Sequence, residues 1–533
     1  MLGGSLNTSL QILAYGAIAV YCFFLPGYAI SLTLLPRTLL SWVGQIVMAA
    51  ALSMSLYAVL VLWAYVFGLE RWPVIVWGPG GAGLAVILWR HRHLIRSQPF
   101  LRDSRRVDGF NIALLALIIV LLLSRLLPIR GMVAPAWGDS VHHTMIAQLI
   151  QDNGGLFRSW APYAPIETFT YHFGYHAAMA VWATATAQPM PQAVITGSQL
   201  LNVLAALALY PLAVRLGGSR MAGFGAVLVA GLLSLQPGMY VNWGRYTQLA
   251  AQVILPVWLW TLDVWWSEPK RPRRRMLLVI VLLSTGLALT HYRVAVVALC
   301  AAVAWGAWSL WLMRKQWQEW LVRTLFLAGA GVLALGLAVP WILSVRSSRL
   351  TYVAGALAQR STDLPAVRGE LDVWRSIDTY YAPLLWAFAL ISAVVGLWRR
   401  RRLVIPMLIW VSLAFVAANP FLVGFPGTGI VTSFLLALGL YIPLSFLVGW
   451  LMALVWQELS NGSVRGKAVG KVGYAVLITL FAAYGIRQQA TIVDPFYQMV
   501  TENDVAALNW IDKNIPAGGR FLANAFPAYS DSL

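Results

Sequence analysis

FNIALLALIIVLLLSRLLPIRGMVAPAWGDSVHH, residues 110–143, sets an apolar run, 110–128, directly before a loop that carries acid and histidine chemistry. The run is long enough to cross a bilayer as a helix. The loop continues to residue 191 and holds Trp137-Gly138-Asp139-Ser140-Val141-His142-His143, then Glu167, then Tyr171-His172-Phe173-Gly174-Tyr175-His176. The chain has seven histidines, and four of them fall between positions 142 and 176. Packing gives no reason to gather scarce polar groups in one loop of a 60% hydrophobic chain. Such a cluster beside a span marks a functional site.

Outward from this stretch the same pattern repeats. The chain has 533 residues, of which 11% are charged, and its mean hydropathy is +0.72. These values exclude an ordinary soluble domain and fit an all-α polytopic membrane protein. Apolar segments of roughly 17–25 residues, rather than alternating segments of about ten, exclude a β-barrel. About fourteen spans are expected, near 10–35, 40–68, 73–90, 110–128, 192–215, 221–237, 248–266, 276–290, 292–313, 324–345, 381–398, 403–421, 427–455 and 470–487. The first run lacks the basic start and cleavage site of a signal peptide and is expected to be a retained span. Cys22 and Cys300 lie inside apolar runs, so neither a disulfide nor a cysteine nucleophile is expected.

The net charge of +19 does not point to nucleic acid, because Lys and Arg sit in short runs between spans. Arg90 to Arg106, Arg215 to Arg220, Lys270 to Arg275, Arg314-Lys315, Arg399 to Arg402 and Arg465 to Lys471 then belong in the cytoplasm. This holds only if 173–187 does not cross, so that segment is expected as a short interfacial helix. Loops 129–191, 238–247, 346–380 and 488–533 then face outward, on the extracytoplasmic side of a cytoplasmic (plasma) membrane. Thr501-Glu502-Asn503-Asp504 reads as a capping box, and Arg520 to Asn524 as a strand. Together they look like the start of a soluble α/β domain that is incomplete at Leu533.

Asp139 heads the chemistry. A helix starting here puts Asp139, His142 and His143 on one face. The carboxylate is then either a helix N-cap or a general base for an acceptor hydroxyl. His142, His143, His172, His176 and Glu167 form a second group. His172 and His176 are four apart, so with a carboxylate a divalent metal is admitted, though no zinc-protease signature is present and ordinary hydrogen bonding is favoured. Arg245 and Arg293 are cations on the outer side, against the positive-inside trend, and guanidinium groups suit phosphate. Beside them stand Trp243, Tyr246, His291 and Tyr292, placed to shield a lipid phosphate, to stack on a sugar, or to anchor the interface. Mixed charge in 346–380, with Arg346, Glu370, Asp372 and Arg375, is either a solvated face or a lid.

This layout resembles the C-type (GT-C) membrane glycosyltransferases, which include protein O-mannosyltransferases, aminoarabinose transferases and arabinofuranosyltransferases. The shared pattern is a span (110–128), an Asp soon after it (Asp139), a helix near 173–187, then paired spans 192–215 and 221–237. The resemblance covers roughly 110–533 and makes 1–109 an N-terminal addition, 110–487 the transferase-like core, and 488–533 the start of an outer domain. It implies a polyprenyl-phosphate sugar donor and a glycan, lipid or protein acceptor, with Asp139 as base. Many members carry Asp-Glu where this chain has Asp139-Ser140. His142, His143 and Glu167 are the further catalytic candidates. Arg245, Arg293 and His291 are candidates for the donor phosphate, and Tyr171, His172, His176, Trp243, Tyr246 and Tyr292 for substrate contacts. A transporter or flippase for a lipid-linked or anionic solute is the alternative. It is disfavoured because the ionisable residues gather at the outer surface and not at mid-membrane.

Overall fold

The computed structural model describes all residues except 1, 37–38, 98–107, 268–272, 347–363, 400–402, 426–429, 462–463, 517 and 520–533. Among the described residues it is helical, without a strand. The helices are α1 (Leu10–Leu34), α2 (Trp42–Phe67), α3 (Trp72–Arg92), α4 (Gly109–Leu126), α5 (Trp137–Asn153), α6 (Gly174–Thr186), α7 (Met190–Gly217), α8 (Arg220–Leu233) and α9 (Tyr246–Ser267). There follow α10 (Arg273–Thr290), α11 (Tyr292–Leu312), α12 (Arg314–Arg346), α13 (Leu364–Arg375), α14 (Pro383–Trp398), α15 (Val404–Ala418), α16 (Ser433–Leu459), α17 (Val464–Ala490) and α18 (Glu502–Asn514).

Each of the fourteen expected spans falls on a helix. Ten are long and apolar enough to cross a membrane. Helices α8, α14 and α15 are apolar but shorter, and α10 begins with three arginines. Proline and glycine shape several of them. Pro256 sits inside α9 and Pro340 inside α12, and a π turn interrupts α1 while another ends α8. Neighbouring helices in a bundle tolerate such breaks by satisfying the freed backbone groups.

Helix α9 is the axis of the bundle and is buried from Tyr246 to Trp266. It packs on α7, α10 and α11, while α2 packs on α1, α6 and α10. Helices α1 and α2 are not a separate layer. Cys22, Met54 and Tyr57 share one apolar cluster with Met145, Tyr175 and Leu249.

The expected interfacial helix exists as α6, thirteen residues long. It is not laid on the surface, however. Tyr175 to Ala183 are buried without a break, because α2, α5 and α7 enclose it. Near the end of the described chain, the Thr501 side chain accepts from the Asp504 amide while the Asp504 carboxylate accepts from the Thr501 amide at 2.8 Å, completing the capping box of α18. The strand expected at 520–524 lies outside the described residues.

The bundle has two chemically distinct ends. At one, Arg215 pairs with Asp263, Arg220 with Asp108 at 2.7 Å, and Arg399 with Glu458 at 3.7 Å, while Arg323 donates to the Trp266 carbonyl. The other end carries Asp139, Arg245 and His291. Helix α9 spans both, and from Tyr246 to Asp263 it covers about 26 Å at 1.5 Å per residue.

Candidate functional site

The site is built at the start of α9. Ahead of it a short helical turn, Tyr240–Trp243, ends at Gly244 with φ +65°. Only glycine adopts that conformation without strain. Glycine is needed for a second reason: a methyl here would stand 2.7 Å from the Ser140 amide nitrogen. The turn therefore lies directly against the first turn of α5. That contact brings the Arg245 Nε to 3.4 Å from the Asp139 Oδ2.

Asp139 is not the helix cap. Helix α5 begins at Trp137 with Ala136 as its cap residue, so Asp139 is the third residue of the helix. Its charge there favours the helix N-terminus, and its side chain is partly exposed. The Arg245 guanidinium also lies over the Phe434 ring at 4.6 Å. Trp243 packs edge-on against Phe434 and Tyr380.

The histidines converge, but inward. The His143 Nδ1 and His176 Nε2 share a hydrogen bond of 2.9 Å. Tyr171 stacks on His172 at 3.9 Å, and the His172 ring lies 4.7 Å from His291 and 5.7 Å from Tyr292. His291 sits in the break between α10 and α11, where its Nδ1 accepts from the Val294 amide at 3.4 Å. Arg293 donates from Nε to the Tyr292 hydroxyl at 3.0 Å.

Burial pushes the His143 pKa down to about 4, against the raising effect of Asp139. Burial likewise holds His172, His176 and His291 well below the usual imidazole range. At neutral pH these are uncharged hydrogen-bonding groups rather than phosphate-binding cations. Burial also raises the Tyr171 phenol to about 12.

The expected sharing of one face by Asp139, His142 and His143 is only partly met. His143 is buried, His142 is half-buried and the Asp139 side chain is partly exposed. Glu167 is not brought to Asp139. It accepts from the Ser159 hydroxyl at 2.9 Å and lines a different cavity. Among the described residues no three His, Cys, Asp or Glu side chains are grouped to hold a metal ion. One sugar and a phosphate held between Asp139 and a guanidinium would need a gap of about 8–15 Å, and the structure leaves none at Arg245. The two groups touch.

Several site residues escape sequence reading. Phe434 lies 189 positions from Arg245 in the chain, and nothing local marks it. Ser140 and Thr247 face the phenols of Tyr246 and Tyr171. Trp137, at φ +69°, stacks on Phe496 at 6.3 Å and meets Tyr497 at 5.3 Å, so the segment that follows α17 closes over the start of α5. Part of the 346–380 loop is helix α13. It docks near the site, with Glu370 accepting from the Ser433 amide at 2.6 Å and Trp374 donating to the Ser433 hydroxyl at 2.9 Å.

Below the arginines an apolar cavity of about 360 Å³ opens between α9, α11, α13, α14, α15 and α16. Gln252, Val294, Trp374, Trp410, Leu435 and Leu440 are among the residues that line it. Gln252 is two turns of α9 from Arg245, and Val294 follows Arg293 directly.

Together these features define an integral membrane protein with an acid–arginine site at one end of its bundle. The chain belongs to a family described as a family of unknown function (DUF6541), whose model matches residues 20–423. No curated protein matches it. Among solved structures it is similar to the oligosaccharyltransferase of Archaeoglobus fulgidus. The crystal structure with Zn and sulfate shares 14% identity over 76% of this chain and 56% of that chain, with a TM-score of 0.48. The oligosaccharyltransferase AglB in complex with an inhibitory peptide and a dolichol-phosphate gives 12%, 78%, 59% and 0.49. The apo form gives 14%, 78%, 59% and 0.49. The chain thus spans less than two thirds of the length of these structures. The likeness is a loose one of overall fold.

Proposed function

We propose that this protein is a membrane glycosyltransferase that moves a sugar from a polyprenyl-phosphate donor to an acceptor hydroxyl on the extracytoplasmic face. The observation that carries the reading is the Asp139–Arg245 contact at 3.4 Å, at the head of the central helix. An exposed ion pair of this kind is worth about 0–1 kcal/mol. A dianionic or monoanionic phosphate therefore displaces the carboxylate from Arg245 at little cost. The same displacement frees Asp139 to serve the acceptor.

In this reading the acceptor hydroxyl gives its proton to Asp139, and its oxygen attacks the anomeric carbon. The bond from that carbon to the phosphate oxygen breaks with inversion. Arg245 and Arg293 take up the charge on the departing lipid phosphate. The apolar cavity below them suits the first isoprene units of the tail, since each buried CH₂ is worth about 0.8 kcal/mol. Residues 110–487 would form the transferase core, with the 488–516 segment on the outer face. The buried neutral histidines would position Tyr171 and the floor of the site and take no proton in the reaction.

The test is a transfer assay on protein in lipid nanodiscs, with radiolabelled polyprenyl-phosphate sugars and release of polyprenyl phosphate as the readout. Asp139→Asn is expected to lower release by about 10²–10⁴-fold, the usual weight of a general base, with folding intact. Near-normal turnover in that variant would remove Asp139 from the chemistry. Movement of the labelled lipid between leaflets of proteoliposomes, without release, would favour the transporter reading.

A further inference from the structure

The Glu167 cavity is a polar feature that the proposed reaction leaves unused. It encloses about 550 Å³ between the end of α2, the 156–173 segment and the end of α12, within the size range of small-molecule sites. We infer that this cavity is a second binding site, and that its ligand is a neutral saccharide held between the Phe157, Phe169 and Trp341 rings and the Arg158 and Glu167 side chains.

The lining carries one cation and one anion. Arg158 donates from Nε to the Tyr65 hydroxyl at 3.0 Å, and Glu167 accepts from the Ser159 hydroxyl at 2.9 Å. A carboxylate repels a phosphate or acidic ligand, and a guanidinium repels an amine. Together in one lining they favour a ligand without net charge that both gives and takes hydrogen bonds. Vicinal hydroxyls do this, with carboxylate oxygens accepting and the guanidinium fork donating. Thr168 and Thr170 add hydroxyls to the same wall.

The apolar part of the wall is aromatic. Phe157 and Phe169 lie 4.6 Å apart, tilted by 34°, and Trp341 is a third ring in the lining. Rings of this kind cover the C–H faces of a pyranose while its edges bond to polar groups. A lipid tail fits less well, because charged side chains stand in the cavity where hydrocarbon would lie.

The cavity is one strand of chain away from the Asp139 site. Phe169, Thr170 and Phe173 line it, while Tyr171 and His172 face the histidine group. Trp341 joins the two, donating to the Tyr171 carbonyl at 3.1 Å. Use of this cavity as an acceptor subsite rests on the glycosyltransferase reading. Saccharide binding itself does not.

The experiment is saturation-transfer NMR on the full chain in nanodiscs, with maltotriose, chitotriose and phosphocholine as probes. Saturable binding of at least one trisaccharide is expected. It should be retained in Asp139→Asn and weakened about tenfold or more in Glu167→Gln, which loses a charge-assisted hydrogen bond. Phe169→Ala should weaken it similarly. Both substituted positions are at least partly exposed, and thermal unfolding verifies that each variant folds. Absence of binding by both trisaccharides at millimolar concentration would overturn the proposal. So would binding indifferent to both substitutions, or binding of phosphocholine alone, which would make the cavity a headgroup site. Loss of transfer in Asp139→Asn with binding retained separates the two proposals.

Discussion

Gly244→Ala isolates the contact on which the site is built. Two costs are expected. The first is the left-handed backbone, φ +65°, which an L side chain adopts at about 1–2 kcal/mol. The second is collision, because the new methyl would stand 2.7 Å from the Ser140 amide nitrogen and nearer still to the Ser140 hydroxyl. Overpacking of this sort adds about 1–3 kcal/mol. Gly218 provides the control. It has φ +69° and nothing within 4 Å of an added methyl, so Gly218→Ala pays the backbone cost alone. The unfolding free energies of the two variants, measured in the same detergent, should differ by about 1–3 kcal/mol, with Gly244→Ala the less stable. Relief of the collision moves α5 away and takes Asp139 from Arg245. A shift of about 1 Å can cost on the order of 10² in rate, so transfer should fall further in Gly244→Ala than in Gly218→Ala. Equal destabilisation of the two variants would refute the close approach of the 240–244 turn to α5, and with it the geometry of the site.

Phe434→Ala removes the ring under Arg245 and should weaken donor binding by about 0.5–2 kcal/mol, read as a rise in KM with folding kept; an unchanged KM would detach Phe434 from the site. Lowering the pH should destabilise the protein between pH 6.5 and 4. In that window the unfolded chain binds a proton at His143 that the folded chain, with its pKa of about 4, refuses, so stability is fully present above 6.5. The loss from His143 approaches about 3 kcal/mol by pH 4, with His172, His176 and His291 shifted in the same direction. A thermal midpoint that does not move from pH 7 to pH 4.5 would contradict their burial as neutral groups. Arg125→Met should be strongly destabilising, by about 3 kcal/mol or more, because it strands three buried acceptors; a midpoint within experimental error of the wild type would show that the network described below carries no weight.

Much of the fold is legible because bilayer-spanning helices are written in long apolar runs. All fourteen expected segments are helical, down to the break at Thr290-His291-Tyr292 that separates α10 from α11. Segment 173–187 was legible as a short helix but not as a buried one. Its sequence is apolar all round apart from His176 and a few threonines, and periodicity alone cannot tell a helix lying in lipid headgroups from one enclosed by neighbours. What scarcity made legible is a grouping: Asp139 meets Arg245, and the histidines gather beside them. Glu167 was grouped with them because it lies near them in sequence, but 156–173 folds back toward α2 and carries it into another cavity. Phe434 and Tyr497 reach the site through tertiary packing alone, which no local pattern records.

The Asp139–Arg245 contact is too weak to hold its own loops in place, so its geometry has to come from elsewhere. Arg125 supplies much of it. The guanidinium is buried near the end of α4, and it donates to the Asn202 carbonyl oxygen at 2.8 Å, the Gln489 carbonyl oxygen at 2.7 Å and the Gly231 backbone carbonyl at 2.7 Å. Asn202 in turn donates to the Pro237 carbonyl at 2.7 Å, and Gln489 to the Ser234 carbonyl at 3.0 Å. One residue thereby ties α4, α7 and α17 to the 231–237 segment that leads into the Arg245 turn. The next tie is Asn242, which donates to the Ile492 carbonyl at 2.7 Å and accepts from the Asp494 amide at 3.0 Å. Phe496 and Tyr497 then close on Trp137, at the head of the helix that bears Asp139. The same short segment, 489–497, therefore fixes both loops of the site from one side. A buried cation satisfied by neutral oxygens is costly to disturb, whereas the exposed acid–arginine pair is cheap to open. This division suits a site whose framework must stay fixed while its charged groups exchange partners with a substrate.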